Sequence, residues 1–356
     1  MDILSIIRLA AESGASDVHI VASNPPIFRI NGALQPATGL GPLSPDEIDR
    51  AFSQIASDEQ KSVFEHEFEL DFGYSIPDVG RIRCNAARQR GTTSLVIRLL
   101  PSTVPSIDEL GLPQICKDLV LKPRGLVVVS GATGSGKSTT LNAMINYLNI
   151  TERRRVVTIE DPIEFVYTND KCTITQRELG GDTRTFAEAL RHVLRQDPDV
   201  ILVGEMRDLE TASAALTIAE TGHLVLTTGH APSASQAVER IIDLFPPYER
   251  DAARSRLASL LSGILCQALI PKINGSGRIA AIEILLANPA VRSNIRDGKT
   301  YQLPNTMLTQ ARSGMMLLDN ALVSHYRKGV ISRESVFAFC NDLEEVTKLV
   351  SQDGLM

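Results

Sequence analysis

No tryptophan occurs in this chain and aromatic residues make up only 4% of it, which leaves few side chains on which nucleic-acid bases could stack. A basic excess is missing too: the formal net charge is −6, the wrong sign for a surface that follows a phosphate backbone. Nucleic acid is therefore not the expected partner. No apolar run approaches the roughly 18–20 residues that a membrane-crossing helix requires. Met1 to Glu12 carries early acids and a helical apolar period, unlike a secretory signal. The five cysteines (Cys84, Cys116, Cys172, Cys266, Cys340) are isolated, with no C-x-x-C pair, so they read as reduced core residues of a cytoplasmic protein. Low-complexity runs and internal repeats are absent as well. What remains is an ordinary globular composition, 43% hydrophobic, in a chain whose 356 residues suffice for two or three domains.

One stretch stands out against that background. Gly131-Ala-Thr-Gly-Ser-Gly-Lys-Ser138 fits G-x-x-x-x-G-K-[ST], the phosphate-binding loop. Chance produces such a match roughly once per hundred chains of this size. Here the β-branched run Gly125–Ser130 precedes it and a helical pattern over 139–148 follows, the context the motif needs. Glycines let backbone N–H groups curl round phosphate oxygens, and the helix N-terminus adds a favourable partial charge. The expected contacts with ATP are Gly131, Thr133, Gly134, Ser135, Gly136, Lys137, Ser138 and Thr139. Lys137 is placed to reach the β- and γ-phosphates, and the Ser138 hydroxyl to bind Mg²⁺.

The first hundred residues read as a separate α+β domain. A helix is expected over 3–11, strands at Asp17–Val21 and Ile27–Ile30, and a helix opened by the capping box Ser44-Pro-Asp-Glu47. Three more strands are expected at 68–74, 80–87 and 92–99, before a proline-bounded linker over 101–107. From there strand and helix alternate, the signature of a parallel sheet covered by helices. Strands are expected at 155–160, 200–203 and 223–227, and helices at 184–195, 209–220 and 233–244. Helical stretches are expected at 250–269, 289–297, 315–328 and 332–339. The resulting division is 1–100, a linker, an ATPase domain over 108–270, and a mostly helical part over 271–356.

Three further stretches carry titratable groups near strand ends, where α/β sheets place their ligands. Glu160, Asp161 and Glu164 form either a solvated acidic turn or a group that orients water or Mg²⁺. Val200-Ile-Leu-Val-Gly-Glu205 is an apolar strand ending in an acid, the Walker B pattern, with Gly204 where many phosphate-loop proteins carry Asp. Asp208 reads better as a helix cap. His223 and His230 flank one buried strand, and are either satisfied structural histidines or reporters of γ-phosphate.

The order and wording of these stretches resemble the secretion ATPase superfamily and, within it, the type IV pilus retraction ATPases. The resemblance spans essentially the whole chain. Gly14-Ala-Ser-Asp17-Val-His19-Ile resembles the family's N-terminal opening, Ile159–Glu164 its Asp box, 202–208 its Walker B and 221–234 its His box. It implies a PAS-like N-terminal domain, a RecA-like ATPase core, and a ring of six copies. Glu164 is then the general base, and Glu205, with Glu160 and Ser138, the Mg²⁺-associated group. His230 senses γ-phosphate with His223 in support, Arg207 lies beside the nucleotide, and Arg83 and Arg98 serve as arginine fingers, ahead of Arg81 and Arg88. The implied partners are an inner-membrane platform protein and a paralogous retraction ATPase, at the inner face of the cytoplasmic membrane.

Two stretches depart from the family pattern. The His box reads Thr228-Gly-His-Ala-Pro232 where Thr-Leu-His-Thr is usual. Ala290-Val-Arg-Ser-Asn-Ile-Arg-Asp297 replaces the Ala-Ile-Arg-Asn-Leu-Ile-Arg-Glu of retraction ATPases. The same engine driving pilus assembly or secretion is the alternative, although assembly ATPases usually carry a four-cysteine zinc insertion that this chain lacks. A RecA- or helicase-type nucleic-acid motor and a small-molecule P-loop kinase are more distant ones.

Overall fold

A computed structural model describes residues 2–100, 103–275 and 277–351. The chain forms two compact units. One comprises Met1–Val104 with Pro162–Val166, the other Pro105–Asp161 with Tyr167–Met356. Residues 101 and 102 of the expected linker lie outside the described residues.

In the first unit, α1 (Ile3–Glu12), α2 (Pro45–Ile55) and α3 (Asp58–Glu67) accompany a six-stranded sheet. Its strands are β1 (Ala15–Ile20), β2 (Ile27–Ile30), β3 (Ala33–Pro36), β4 (Glu69–Ile76), β5 (Gly80–Gln89) and β6 (Thr92–Leu99), in the order β3-β2-β1-β6-β5-β4 and antiparallel throughout. Period-2 alternation sends Ile82, Cys84, Ala86, Leu95 and Ile97 into a core shared with Ile3, Ile7, Ile48 and Phe52. The opposite face carries Arg81, Arg83 and Arg98, whereas Arg88 falls on the helix-covered side, over the Phe64 ring. The Ser44 capping box is present, and a second one, Ser57 with Gln60, opens α3.

The second unit begins with α4 (Ile115–Val120), the wholly buried β7 (Gly125–Ser130) and α5 (Lys137–Thr151). There follow β8 (Arg155–Glu160), β9 (Thr173–Glu178), α6 (Phe186–Val193), β10 (Val200–Val203), α7 (Leu209–Glu220), β11 (Leu224–Thr228), α8 (Ala234–Asp243) and α9 (Arg250–Leu260). The chain closes with β12 (Leu261–Pro271), β13 (Arg278–Leu286), α10 (Pro289–Arg296), α11 (Leu303–Thr309), α12 (Leu318–Arg327), α13 (Arg333–Phe339) and α14 (Leu343–Ser351). The sheet runs β13-β12-β7-β11-β10-β8-β9, parallel except for the antiparallel β12–β13 pair. This is the expected α/β architecture, with a helical C-terminal part.

The tail departs from the expected reading at its start, where β12 and β13 form a strand hairpin in a stretch read as helical. The helix expected over 250–269 stops at Leu260, and 261–271 is a strand beside β7. Arg292 of α10 donates to the carbonyls of Ala258, Ser259 and Leu261, supplying partners for carbonyls at the end of α9. Gly263 then admits the neighbouring chain, since a Cβ there would lie 3.1 Å from Leu119 Cδ2 and 3.2 Å from the Leu285 carbonyl. The expected boundary at 270/271 consequently falls within the β12–β13 hairpin.

Candidate active site

The phosphate loop leaves the C-terminal end of β7 and enters α5, as its sequence requires. Gly131, Gly134 and Gly136 have φ of +143°, +77° and +87°, a region that L-residues rarely adopt. Gly131 also has a steric reason, because a Cβ would sit 2.3 Å from the Gln267 carbonyl oxygen. The Gln267 side chain, buried on β12, donates from Nε2 to the Ser135 carbonyl at 2.6 Å and accepts from Thr140 Oγ1 at 2.7 Å. The loop is thus braced from outside its own motif.

Lys137 is 9% exposed, and its Nζ donates to the carbonyls of Gly131 and Ala132 at 2.9 and 3.1 Å, so the cation hangs over the loop mouth. The Ser135 hydroxyl is buried with no hydrogen-bond partner. An orphaned donor inside a ring of glycines fits a phosphate oxygen. Thr133 and Gly134 are exposed on the rim, while Ser138 and Thr139 are half-buried in the first turn of α5.

Glu205 follows β10, and both of its oxygens are engaged. Oε2 accepts from Arg207 Nη2 at 2.7 Å, and Oε1 lies 2.8 Å from His230 Nε2. Burial would raise this carboxyl, but the Arg207 hydrogen bond and the His230 imidazole outweigh it and hold the group below its usual range. Gly204 is closely packed: a Cβ would lie 3.2 Å from the Ile159 carbonyl and 3.4 Å from Glu160 Cα, so β8 would have to give by a few tenths of an ångström. The His230 turn is pinned next door. Ser130 Oγ donates to the Ala231 carbonyl at 2.8 Å and accepts from the Ala231 N–H at 2.7 Å. Gly229 passes close by, since its Cβ would meet Ser130 Oγ at 3.2 Å. A cavity of about 290 Å³ opens here, lined by Glu205, Arg207 and His230 and floored by Val128, Ala237 and Ile241.

Glu160 ends β8 in a buried polar chain. It accepts from Thr158 Oγ1 at 2.6 Å and from Gln176 Nε2 at 3.1 Å. Gln176 accepts from the Tyr167 N–H at 3.0 Å, the Tyr167 hydroxyl donates to Asn142 Oδ1, and Asn142 Nδ2 donates to the Ser138 carbonyl at 2.7 Å. Burial pushes the Tyr167 hydroxyl well up, so it remains a donor. The network runs from the acid at a strand end to the first turn of α5, where the phosphate loop enters the helix.

Lys137, Ser138, Glu160, Glu205, Arg207 and His230 all belong to the C-terminal ends of the parallel strands and the turns that follow them. His223 does not. It precedes β11, where its carbonyl accepts from the Gly125 N–H and its Nδ1 lies 2.9 Å from Thr221 Oγ1. A strand of five residues, roughly 15 Å, separates it from His230. Glu164 falls in Pro162–Val166, which belongs to the first unit. In that unit Arg83 and Arg98 face each other across β5 and β6. Arg98 Nε donates to Asp17 Oδ1 at 2.9 Å, while Arg83 stands 3.9 Å from Asp71 and is 45% exposed. Arg81 and Arg88 lie on the same strand, Arg88 bonding Thr93. Sequence reading missed Gln267, Asn142, Tyr167 and Gln176, and no motif announces them.

Among the described residues no group of three or more His, Cys, Asp or Glu could hold a metal by itself. A magnesium ion shared among a hydroxyl, phosphates and water needs no such cage. A phosphate loop between a buried parallel strand and a helix, with a strand-end acid beside it, defines a P-loop ATPase. The chain matches the family model for type II/IV secretion system proteins over residues 2–299 and belongs to that family. It is 46% identical over 94% of its length to the type IV pilus retraction ATPase PilT of Pseudomonas aeruginosa, covering 97% of that protein. The type IV pilus ATPase PilU of the same organism is 41% identical over 99% of this chain and 93% of its own. A crystal structure of the pilus retraction motor PilT with bound ADP superposes with a TM-score of 0.92 at 41% identity, covering 98% of this chain and 99% of that one.

Proposed function

We propose that this protein is a hexameric motor that hydrolyses Mg²⁺-bound ATP to retract type IV pili. The observation that carries the proposal is likeness to a retraction ATPase across nearly the full length of both chains, not in the nucleotide core alone. Lys137 and the loop N–H groups bind the β- and γ-phosphates, and Ser138 and Glu205 hold magnesium directly or through water. That ion supplies charge neutralisation. Glu164 orients the attacking water, His230 reads the γ-phosphate through its contact with Glu205, and Arg83 and Arg98 close over the nucleotide. Positioning and electrostatics carry the rate, with no covalent intermediate. The motor works at the inner face of the cytoplasmic membrane on a platform protein, alongside a paralogous retraction ATPase.

The test is a count of surface pili in a host carrying Lys137→Ala. Excess, immobile pili support retraction. Bald cells move the work to assembly, and normal pili move it to another secretion machine.

A further inference from the structure

Glu283 lies outside every motif and is 4% exposed on β13. No ion pair reaches it among the described residues, and its neighbour across the hairpin is Cys266. A buried carboxylate without a cation is costly unless donors surround it. Here two backbone donors offset part of that cost, although burial, with Asp319 nearby, still holds the carboxyl above its usual range. Oε1 accepts from the Ala234 N–H at 2.7 Å, and Oε2 from the Leu318 N–H at 3.3 Å. These N–H groups open α8 and α12, so one carboxylate sits against two helix N-termini, where negative charge is favoured.

The two helices pack in different parts of the second unit. α8 begins four residues after His230 and is capped by Ser233. α12 packs with Ile270, Ala281, Ile331 and Val336 in the core of the C-terminal helices. The Ile284 and Met316 backbones also pair in both directions, at 2.7 and 3.0 Å, which holds the start of α12 to β13. Besides the contacts of His230 itself with Glu205 and Arg240, the backbone of this turn is held at Ala231 by Ser130 and at Ala234 by Glu283, and the Glu283 contact also reaches the N-terminus of α12.

We propose that Glu283 is a positioning residue that sets the His230 turn by holding the N-termini of α8 and α12 on one buried carboxylate. The catalytic consequence rests on the proposed role of His230. The carboxylate is suited to the task because it presents an acceptor to each helix at once. An amide has one acceptor and an NH₂ group that would face an N–H.

The test is hydrogen exchange on full-length Glu283→Gln together with steady-state ATP turnover. Exchange is expected to accelerate about tenfold in both 230–236 and 316–320, with β7 and β10 unchanged. kcat is expected to fall several-fold with KM unmoved, roughly the loss of one positioned transition-state contact. Glu283→Asp keeps the charge but is one methylene short of spanning both helices, so it should reproduce the exchange pattern if the amide variant folds poorly. Acceleration confined to 316–320, or spread evenly through the sheet, overturns the proposal. Acceleration in both segments with unchanged kcat supports the positioning of the turn and removes His230 from hydrolysis instead.

Discussion

Gln267 and Ser135 lie 132 positions apart, yet a 2.6 Å hydrogen bond joins the glutamine amide to the serine carbonyl. With the Thr140 hydroxyl bonded to the same side chain, this contact spans the turn that carries Lys137. Replacing Gln267 by Leu strands both partners, at about 1–2 kcal/mol. Nucleotide affinity should weaken by roughly tenfold while the melting transition stays cooperative. A titration with fluorescent ADP gives the answer, and unchanged affinity would show that the loop holds its shape unaided.

The Glu205–Arg207 contact predicts a pH effect. The carboxyl sits below its ordinary value of 4.5, so the stabilisation it lends is full above that pH and is lost as pH falls through the lower, folded value. Arg207→Ala removes a principal lowering influence. The acid limb of ATP turnover should then move to higher pH, and a limb that stays in place dissociates the ion pair from catalysis.

Gly204→Asp would install the commoner Walker B residue and should nonetheless harm the protein. Its Cβ meets the Ile159 carbonyl at 3.2 Å, an overpacking that costs about 1–3 kcal/mol. Denaturant unfolding should show the loss, whereas a stability gain would mean that β8 and β10 can separate freely.

Glu164→Gln should bind ATP normally and hydrolyse it slowly, by about 10²- to 10⁴-fold as expected for a general base. Equal turnover in wild type and variant would return this carboxylate to the surface.

Arg83, opposite Arg98 but only loosely paired, is the freer of the two guanidinium groups. Arg83→Ala should spare nucleotide binding and lower kcat. Loss of binding would recast it as a ground-state contact.

Local chemistry made much of this legible. The phosphate loop announces its own turn, and the buried β-branched runs at β7, β8, β10 and β11 announce a parallel sheet. The capping box at Ser44 is readable, and Ser57 with Gln60 carries the same pattern. The remainder depends on distance along the chain. Residues 250–269 read as one amphipathic helix because the group that ends it, Arg292, arrives more than thirty positions later. β9 is polar and lies at a sheet edge, so its Thr-Ile-Thr-Gln-Arg-Glu carries little apolar period. Gln267 and Glu283 look unremarkable in sequence because their partners, mostly backbone groups and with them the Thr140 hydroxyl, lie far along the chain. His223 shows the converse: a histidine close to His230 in sequence is carried to the far end of a strand.

The β12–β13 hairpin is at once the wall of the phosphate loop, through Gln267, and the seat of the C-terminal helices, through Glu283 and Ile284. That arrangement makes it a spar. Glu283 pairs with Cys266 and Ile284 with Leu265, next to the Gln267–Ile282 pair, so a pull on the helices would meet the ladder beside the residue that braces the phosphate loop. A machine that tugs against a filament would feel its load at the site where the fuel is spent, and strain in the one would set the pace of the other.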